Sequence, residues 1–186
     1  MTELVFLLEE PSAEAMLMGL LPRLLPEDTT VRYIVFEGKQ DLEKQLVRRL
    51  RGYQTPGARF VVLRDQDAAD CHGVKNALLQ KCMEAGDKYT LVRIACRELE
   101  SWYLADLAAV ECGLEMNGLA AHQEKKKFRN PDLLANAADE LTVLTSYRYQ
   151  KIGGSRAIGP HLNMNNTRSH SFAVFVAGVV KMATAN

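Results

Sequence analysis

The stretch FVVLRDQD, residues 60–67, runs four apolar residues straight into Arg64, Asp65, Gln66 and Asp67. A short unbroken apolar run marks a strand buried on both faces, as in a parallel sheet. Similar runs are LVFLL (4–8), VRYIVF (31–36) and YTLVRIA (89–95). They predict strands near 4–9, 31–36, 59–65 and 89–96. Helical spacing fills the gaps. Ser12 opens a pattern carrying Met16, Leu17, Leu20, Leu21 and Leu24, with Pro26 just past its end. Asp41 is the expected cap of a second helix bearing Leu42, Leu46 and Leu50, and Asp70 of a third through Val74, Leu78 and Cys82. A fourth helix carries Leu99, Trp102, Tyr103 and Leu107 on its buried side. Such alternation predicts a three-layer α/β/α core with a mainly parallel sheet. Ligands of these sheets bind beyond the C-terminal strand ends, near a topological switch point.

Acids crowd those ends. The first strand runs into Glu9-Glu10, the third into Asp65-Gln66-Asp67, and the fourth into Glu98-Leu99-Glu100. Crowded carboxylates repel one another unless a cation joins them. Their hard oxygens suit Mg²⁺ or Mn²⁺ rather than zinc. Such ions activate water and stabilise the leaving oxygen of a phosphodiester. Glu9, Asp65 and Asp67 are the expected ligands, with Glu98 or Glu100 as a further one. Taken singly, each acid also reads as a loop or helix-start residue.

The remainder is less regular. A core over about 1–112 is expected to carry a C-terminal elaboration over about 113–186, the whole forming one domain. Residues 131–141 read as a short helix, residues 147–167 as loop, and Phe172–Met182 as a C-terminal helix, with its valines leaving a strand open. Charge is uneven. Residues 1–119 hold 14 Lys and Arg against 19 Asp and Glu, whereas residues 120–186 hold 9 against 4. Lys125, Lys126, Lys127, Arg148 and Arg156 are the expected nucleic-acid contacts. Lys151 is expected nearest the acids, on a loop folded back over the strand ends. A solvated basic face is the other reading of the same residues.

Composition is that of an ordinary globular chain: 186 residues, 47% hydrophobic, 25% charged, net charge zero. Cys71, Cys82, Cys96 and Cys112 lack zinc-ribbon spacing and read as reduced packing residues. No apolar run approaches membrane-span length, and no secretory leader is evident. A cytoplasmic location, with no membrane partner, is expected.

The order of a strand ending in Glu, then a strand ending in D-x-D, with a strand and two helices between, resembles the Toprim pattern. The fuller wording is similar to the Toprim-like domain-of-unknown-function family 4276. It lies in LLEEPSAEAML (7–17), FEGKQDLEKQL (36–46), VVLRDQDAADC (61–71), RIACRELESWYLAD (93–106), YQKIGGSRAIGPHL (149–162) and NTRSHSF (166–172). The resemblance implies a Toprim-like, Rossmann-like core related to OLD-type and other Toprim nucleases. It implies metal-dependent phosphodiester chemistry on DNA or RNA, and an ATP-binding partner protein of AAA or ABC type in phage defence. Lys151 resembles the late lysine of OLD-type nucleases. Toprim domains have Gly after the first-strand Glu; Glu10 stands there instead, followed by Pro11. Glu37-Gly38 imitates that motif, but it ends the second strand, one helix before the D-x-D strand, so Glu9 is preferred.

Two other functions stand beside the nuclease. One is a non-catalytic binding or sensor module that partners an ATPase. The other is a haloacid-dehalogenase-like phosphatase with Asp65 as nucleophile and Asp67 as acid. That fold carries its D-x-D on the first core strand and an acidic pair downstream, whereas here the motif is on the third strand and no good acidic pair follows residue 115.

Overall fold

A computed structural model describes residues 2–86 and 89–185. Four strands form one parallel sheet: β1 (Thr2–Leu8), β2 (Thr29–Val35), β3 (Arg59–Asp65) and β4 (Thr90–Ala95), in the order β2-β1-β3-β4. The expected strands are all present, each within two residues of its expected bounds. Register is continuous through the centre: Leu8 pairs with Val35 on one side and Leu63 on the other, and Asp65 pairs with Ala95.

The central strands are buried on both faces because each faces a different apolar layer. Leu4, Phe6 and Leu8 of β1 point into one core, Val5 and Leu7 into the other. Period-two alternation explains how one apolar run serves both. Helices α2 (Lys39–Gly52) and α3 (Cys71–Glu84) cover the second face through Leu42, Leu46, Leu50, Val74 and Leu78. The first face is covered by α1 (Pro11–Leu24) together with C-terminal elements. The chain is therefore a three-layer α/β/α fold.

Strand order fixes where a site belongs. From β1 the chain enters α1 on one face, and from β3 it enters α3 on the other. β1 and β3 are adjacent. Their C-terminal ends flank the crevice where the two connections diverge, the usual ligand position in open parallel sheets.

Several expectations need correction. The fourth helix is two: α4 (Glu100–Leu104) and α5 (Leu107–Gly113), broken at Asp106, whose side chain accepts the Ala109 N–H and caps α5. Asp41 does not cap α2. The helix starts two residues earlier after Gly38, and Asp41 instead accepts the Glu37 N–H. Residues 131–141 form a 3₁₀ turn, Pro131–Leu133, and only then α6 (Ala137–Leu144). The segment 147–167, expected as loop, contains α7 (Lys151–Ile158).

Two glycines explain that last difference. A Cβ on Gly154 would collide with the Tyr149 ring, and one on Gly159 with the Met16 carbonyl oxygen. Glycine lowers helix propensity, but these two let α7 lie against α1 and close over Tyr149. The C-terminal helix is α8 (His170–Thr184), and Ser169 caps it by accepting the Phe172 N–H. Trp102 is core, as expected. Its ring packs on Phe172 and Phe175 of α8, and its indole N–H donates to Ser171. Cys112 is exposed rather than packed. Among the described residues no helix is long and apolar enough to cross a membrane.

Candidate functional site

The ends of β1 and β3 are tied together by their own acids. Glu9 donates its N–H to the Leu63 carbonyl, and its Oε2 accepts the Asp65 N–H at 3.0 Å. Glu10 follows in extended backbone, φ −149°, and Pro11 opens α1. No left-handed turn occurs there, so glycine is not required after Glu9. Glu10 is thereby placed over the crevice. Its Oε1 accepts the Ser12 hydroxyl at 2.7 Å, and its Oε2 lies 2.7 Å from Lys151 Nζ.

Asp65 sits under this arrangement. As a whole residue it is half-buried. Burial, then the fields of Glu100, Glu10 and Glu9, push its pKa well above the usual carboxylate range. Glu100 is 1% exposed. Its Oε1 accepts the Tyr149 hydroxyl at 2.8 Å, while its buried Oε2 has no hydrogen-bond partner among the described residues. Burial raises its pKa, against the pull of Tyr149 and Lys151. Glu9 is also raised, by burial first; the Asp65 N–H and Arg64 oppose the shift, while Asp67 and Glu10 add to it. Partial burial would lower the Lys151 pKa, but the Glu10 contact and the fields of Glu100 and Asp65 prevail and raise it.

Asp67 has its own set of partners. Asp67 is left-handed, φ 56°, and its N–H bonds the Arg97 carbonyl at 2.7 Å. Its carboxylate meets Lys39 Nζ at 2.7 Å. Arg64, 7% exposed, binds Glu43 at 2.5 Å and places its Nε 3.9 Å from Glu9. Glu9 therefore stands between two groups: Asp65, Glu10, Glu100 and Lys151 on one side, and Asp67, Lys39 and Arg64 on the other. Glu98 belongs to neither. Its Oε2 accepts the Ala138 N–H at 2.8 Å in the first turn of α6. Glu37 is exposed, and its backbone is tied to Asp41 in the first turn of α2.

Lys151 is the one basic residue expected from the sequence that this geometry joins to the acids, and it begins a helix rather than riding a loop. Lys125, Lys126, Lys127, Arg148 and Arg156 are exposed. Lys127 pairs with Glu140, and Lys125 lies beside His122. Sequence patterning does not single out Glu10, Tyr149 or Lys39 as site residues. Glu10 has one available signal, a second acid at the strand end directly before a helix-opening Pro.

An all-oxygen donor set suits a hard divalent cation. Glu9, Glu10, Asp65 and Glu100 supply the oxygens, and the unpartnered Oε2 of Glu100 supplies an unused acceptor. Among the described residues no group of three or more acidic, histidine or cysteine side chains is placed to hold a metal ion. The carboxylates are held by Lys151, Lys39, Ser12, Tyr149 and backbone N–H groups instead. A divalent ion would draw Glu10 or Asp67 away from its lysine.

The chain belongs to the family described as Domain of unknown function (DUF4276), whose model matches residues 8–179. The match takes in every acid of the crevice together with Lys151. No curated protein and no solved structure matches the chain.

Proposed function

We propose that this protein is a divalent-metal-dependent phosphodiesterase acting on DNA or RNA, a relative of the Toprim nucleases, with its reaction centre between the ends of β1 and β3. One observation carries the reading: Asp65 faces Glu9, Glu10 and Glu100 at the switch point of a parallel sheet, with Lys151 against Glu10. Like charges so placed are unfavourable alone and become favourable around a cation. Mg²⁺ or Mn²⁺ supplies water activation and charge neutralisation at the phosphate. Asp65 and Glu9 would hold the ion, with Glu10 and Glu100 as further oxygen donors. Asp67 would join them if Lys39 left it for a phosphate. Lys151, freed from Glu10, is a fixed cation for charge that develops on the phosphoryl oxygens. The Toprim resemblance adds an ATP-binding partner protein and a role in phage defence.

The test is cleavage of plasmid, linear DNA and RNA with Mg²⁺ and with Mn²⁺, with Asp65→Asn as control. Metal-dependent cleavage by wild type and none by the variant is expected. Equal activity of the two would reject the site.

A second reading has its own observation. Glu10 and Asp67 each already hold a lysine at 2.7 Å. A charge-compensated crevice of this kind suits a binding or sensor module that partners an ATPase. Tight Mg²⁺ binding without cleavage of any nucleic acid would favour it.

A further inference from the structure

The turn that leads into Lys151 closes α6. Ser146 and Tyr147 are consecutive left-handed residues, φ 50° and 64°, and neither is glycine. This is how α6 ends: the Tyr147 N–H reaches back to the Thr142 carbonyl and the Ser146 N–H to the Val143 carbonyl, the pattern that closes helices through a left-handed residue. Thr145, which is fully buried, holds the ending in place. Its hydroxyl donates to the Leu141 carbonyl at 2.8 Å and accepts the Tyr149 N–H at 3.1 Å. The N–H groups of Ser146, Tyr147 and Arg148 bond the carbonyls of Val143, Thr142 and Thr145 at 2.8–3.0 Å. The turn is rigid, yet the ring it holds is 71% exposed.

Position gives the ring a use. Tyr149, two residues on, bonds Glu100, and Lys151, four residues on, bonds Glu10. Four residues of extended chain span at most roughly 14 Å, so the Tyr147 backbone lies within a few nucleotide lengths of the acids. Beside it stands Arg148, also exposed. An exposed aromatic face with an adjacent cation is how proteins hold unpaired bases, since every base offers a π-face and the backbone offers phosphates. A duplex keeps those faces stacked and out of reach.

We propose that Tyr147 and Arg148 form a stacking platform for an unpaired nucleotide beside the reacting phosphate, so that the substrate is single-stranded nucleic acid or a frayed strand end. The proposal rests on the nucleic-acid reading above and specifies its substrate class. Tyr147 stacks the base, Arg148 meets the flanking phosphate, and the left-handed turn fixes the ring before substrate arrives.

The test is fluorescence anisotropy in EDTA, with a labelled oligo-dT fifteen-mer (~15 nucleotides, about one site size) and a hairpin duplex as probes. Binding in EDTA needs neither metal nor cleavage, so the outcome is independent of the Asp65→Asn assay. Wild type is expected to hold the single strand more tightly than the duplex. Tyr147→Ala should weaken single-strand binding about ten-fold or more, as loss of one stacked base does. It should leave duplex binding and melting temperature unchanged. Tyr147→Phe, which keeps the ring, should stay within about three-fold of wild type, since stacking does not need the hydroxyl. Equal single-strand affinity of Tyr147→Ala and wild type would overturn the proposal. So would failure of wild type to bind either probe. A Tyr147→Ala change confined to self-association in gel filtration would overturn it too, and would assign the ring to a protein contact.

Discussion

Lys151 Nζ lies 2.7 Å from Glu10 Oε2, joining the first turn of α7 to the end of β1 across 141 residues of chain. Both side chains remain partly exposed, at 52% and 25%. An ion pair so placed adds little stability, about 1 kcal/mol or less. Its value is positional, because the ammonium sits where Asp65 and Glu100 also act on it.

Lys151→Met should therefore shift the melting temperature by no more than about 4 °C, the effect of roughly 1 kcal/mol in a domain of this size. Cleavage by the same variant should fall by about two to three orders of magnitude, the usual cost of removing one charge-stabilising donor. A fully active Lys151→Met protein would reduce the lysine to a surface charge.

The three raised acids make stability depend on pH with an unusual sign. Folded Glu9, Asp65 and Glu100 hold protons more tightly than they do in the unfolded chain. Between the unfolded carboxylate pKa of about 4 and the raised folded values, the native state binds more protons, so these groups lose stability as pH rises. Asp65→Asn keeps the size and shape of the side chain and removes the charge. It should be more stable than wild type at pH 7 by about 0.5–2 kcal/mol, with the advantage shrinking as pH falls toward 4. Denaturant melts at pH 7, 5.5 and 4 measure this. A variant less stable than wild type by a constant amount at every pH would contradict a charge origin for the effect.

Much of the crevice is legible in the sequence. LVFLL and FVVL read as strands because buried central strands need apolar residues on both faces, and both runs stop abruptly at charge. The acids at those stops are where the crevice lies. Glu10 reads only as an unexplained substitution, because pattern alone cannot show that its backbone is extended. Charge places Lys151 near the acids, but Gly153-Gly154 hides its helix, since their low propensity masks a packing need. The pairing of Asp67 with Lys39 goes with a left-handed backbone at Asp67 and a bond to Arg97 beyond the end of a neighbouring strand. That contact is set by tertiary register and leaves no local trace.

Glu98 distinguishes a helix-capping acid from a ligand. Its Oε2 satisfies the Ala138 N–H at the start of α6. Glu98→Ala should lower stability by about 1 kcal/mol, as loss of a helix-start acceptor does, and leave divalent binding untouched. Weaker divalent binding at unchanged stability would return Glu98 to the ligand set.

Gly159 tests the packing that carries Lys151 to the crevice. A Cβ there would run into the Met16 carbonyl oxygen, which is backbone and has little freedom to yield. Gly159→Ala should destabilise the fold by about 1–3 kcal/mol, the range for overpacking. Equal melting temperatures for variant and wild type would mean that α1 and α7 do not approach so closely.

The central claim is that the acids between β1 and β3 bind a divalent cation, and Mn²⁺ titration followed by the electron paramagnetic resonance signal of the free ion measures it directly. Wild type should remove Mn²⁺ from the free pool saturably, more tightly with oligo-dT present because substrate phosphates complete the coordination. Asp65→Asn should weaken that binding about ten-fold or more. Equal Mn²⁺ binding by wild type and variant, or none by wild type with and without the oligonucleotide, would contradict the assignment.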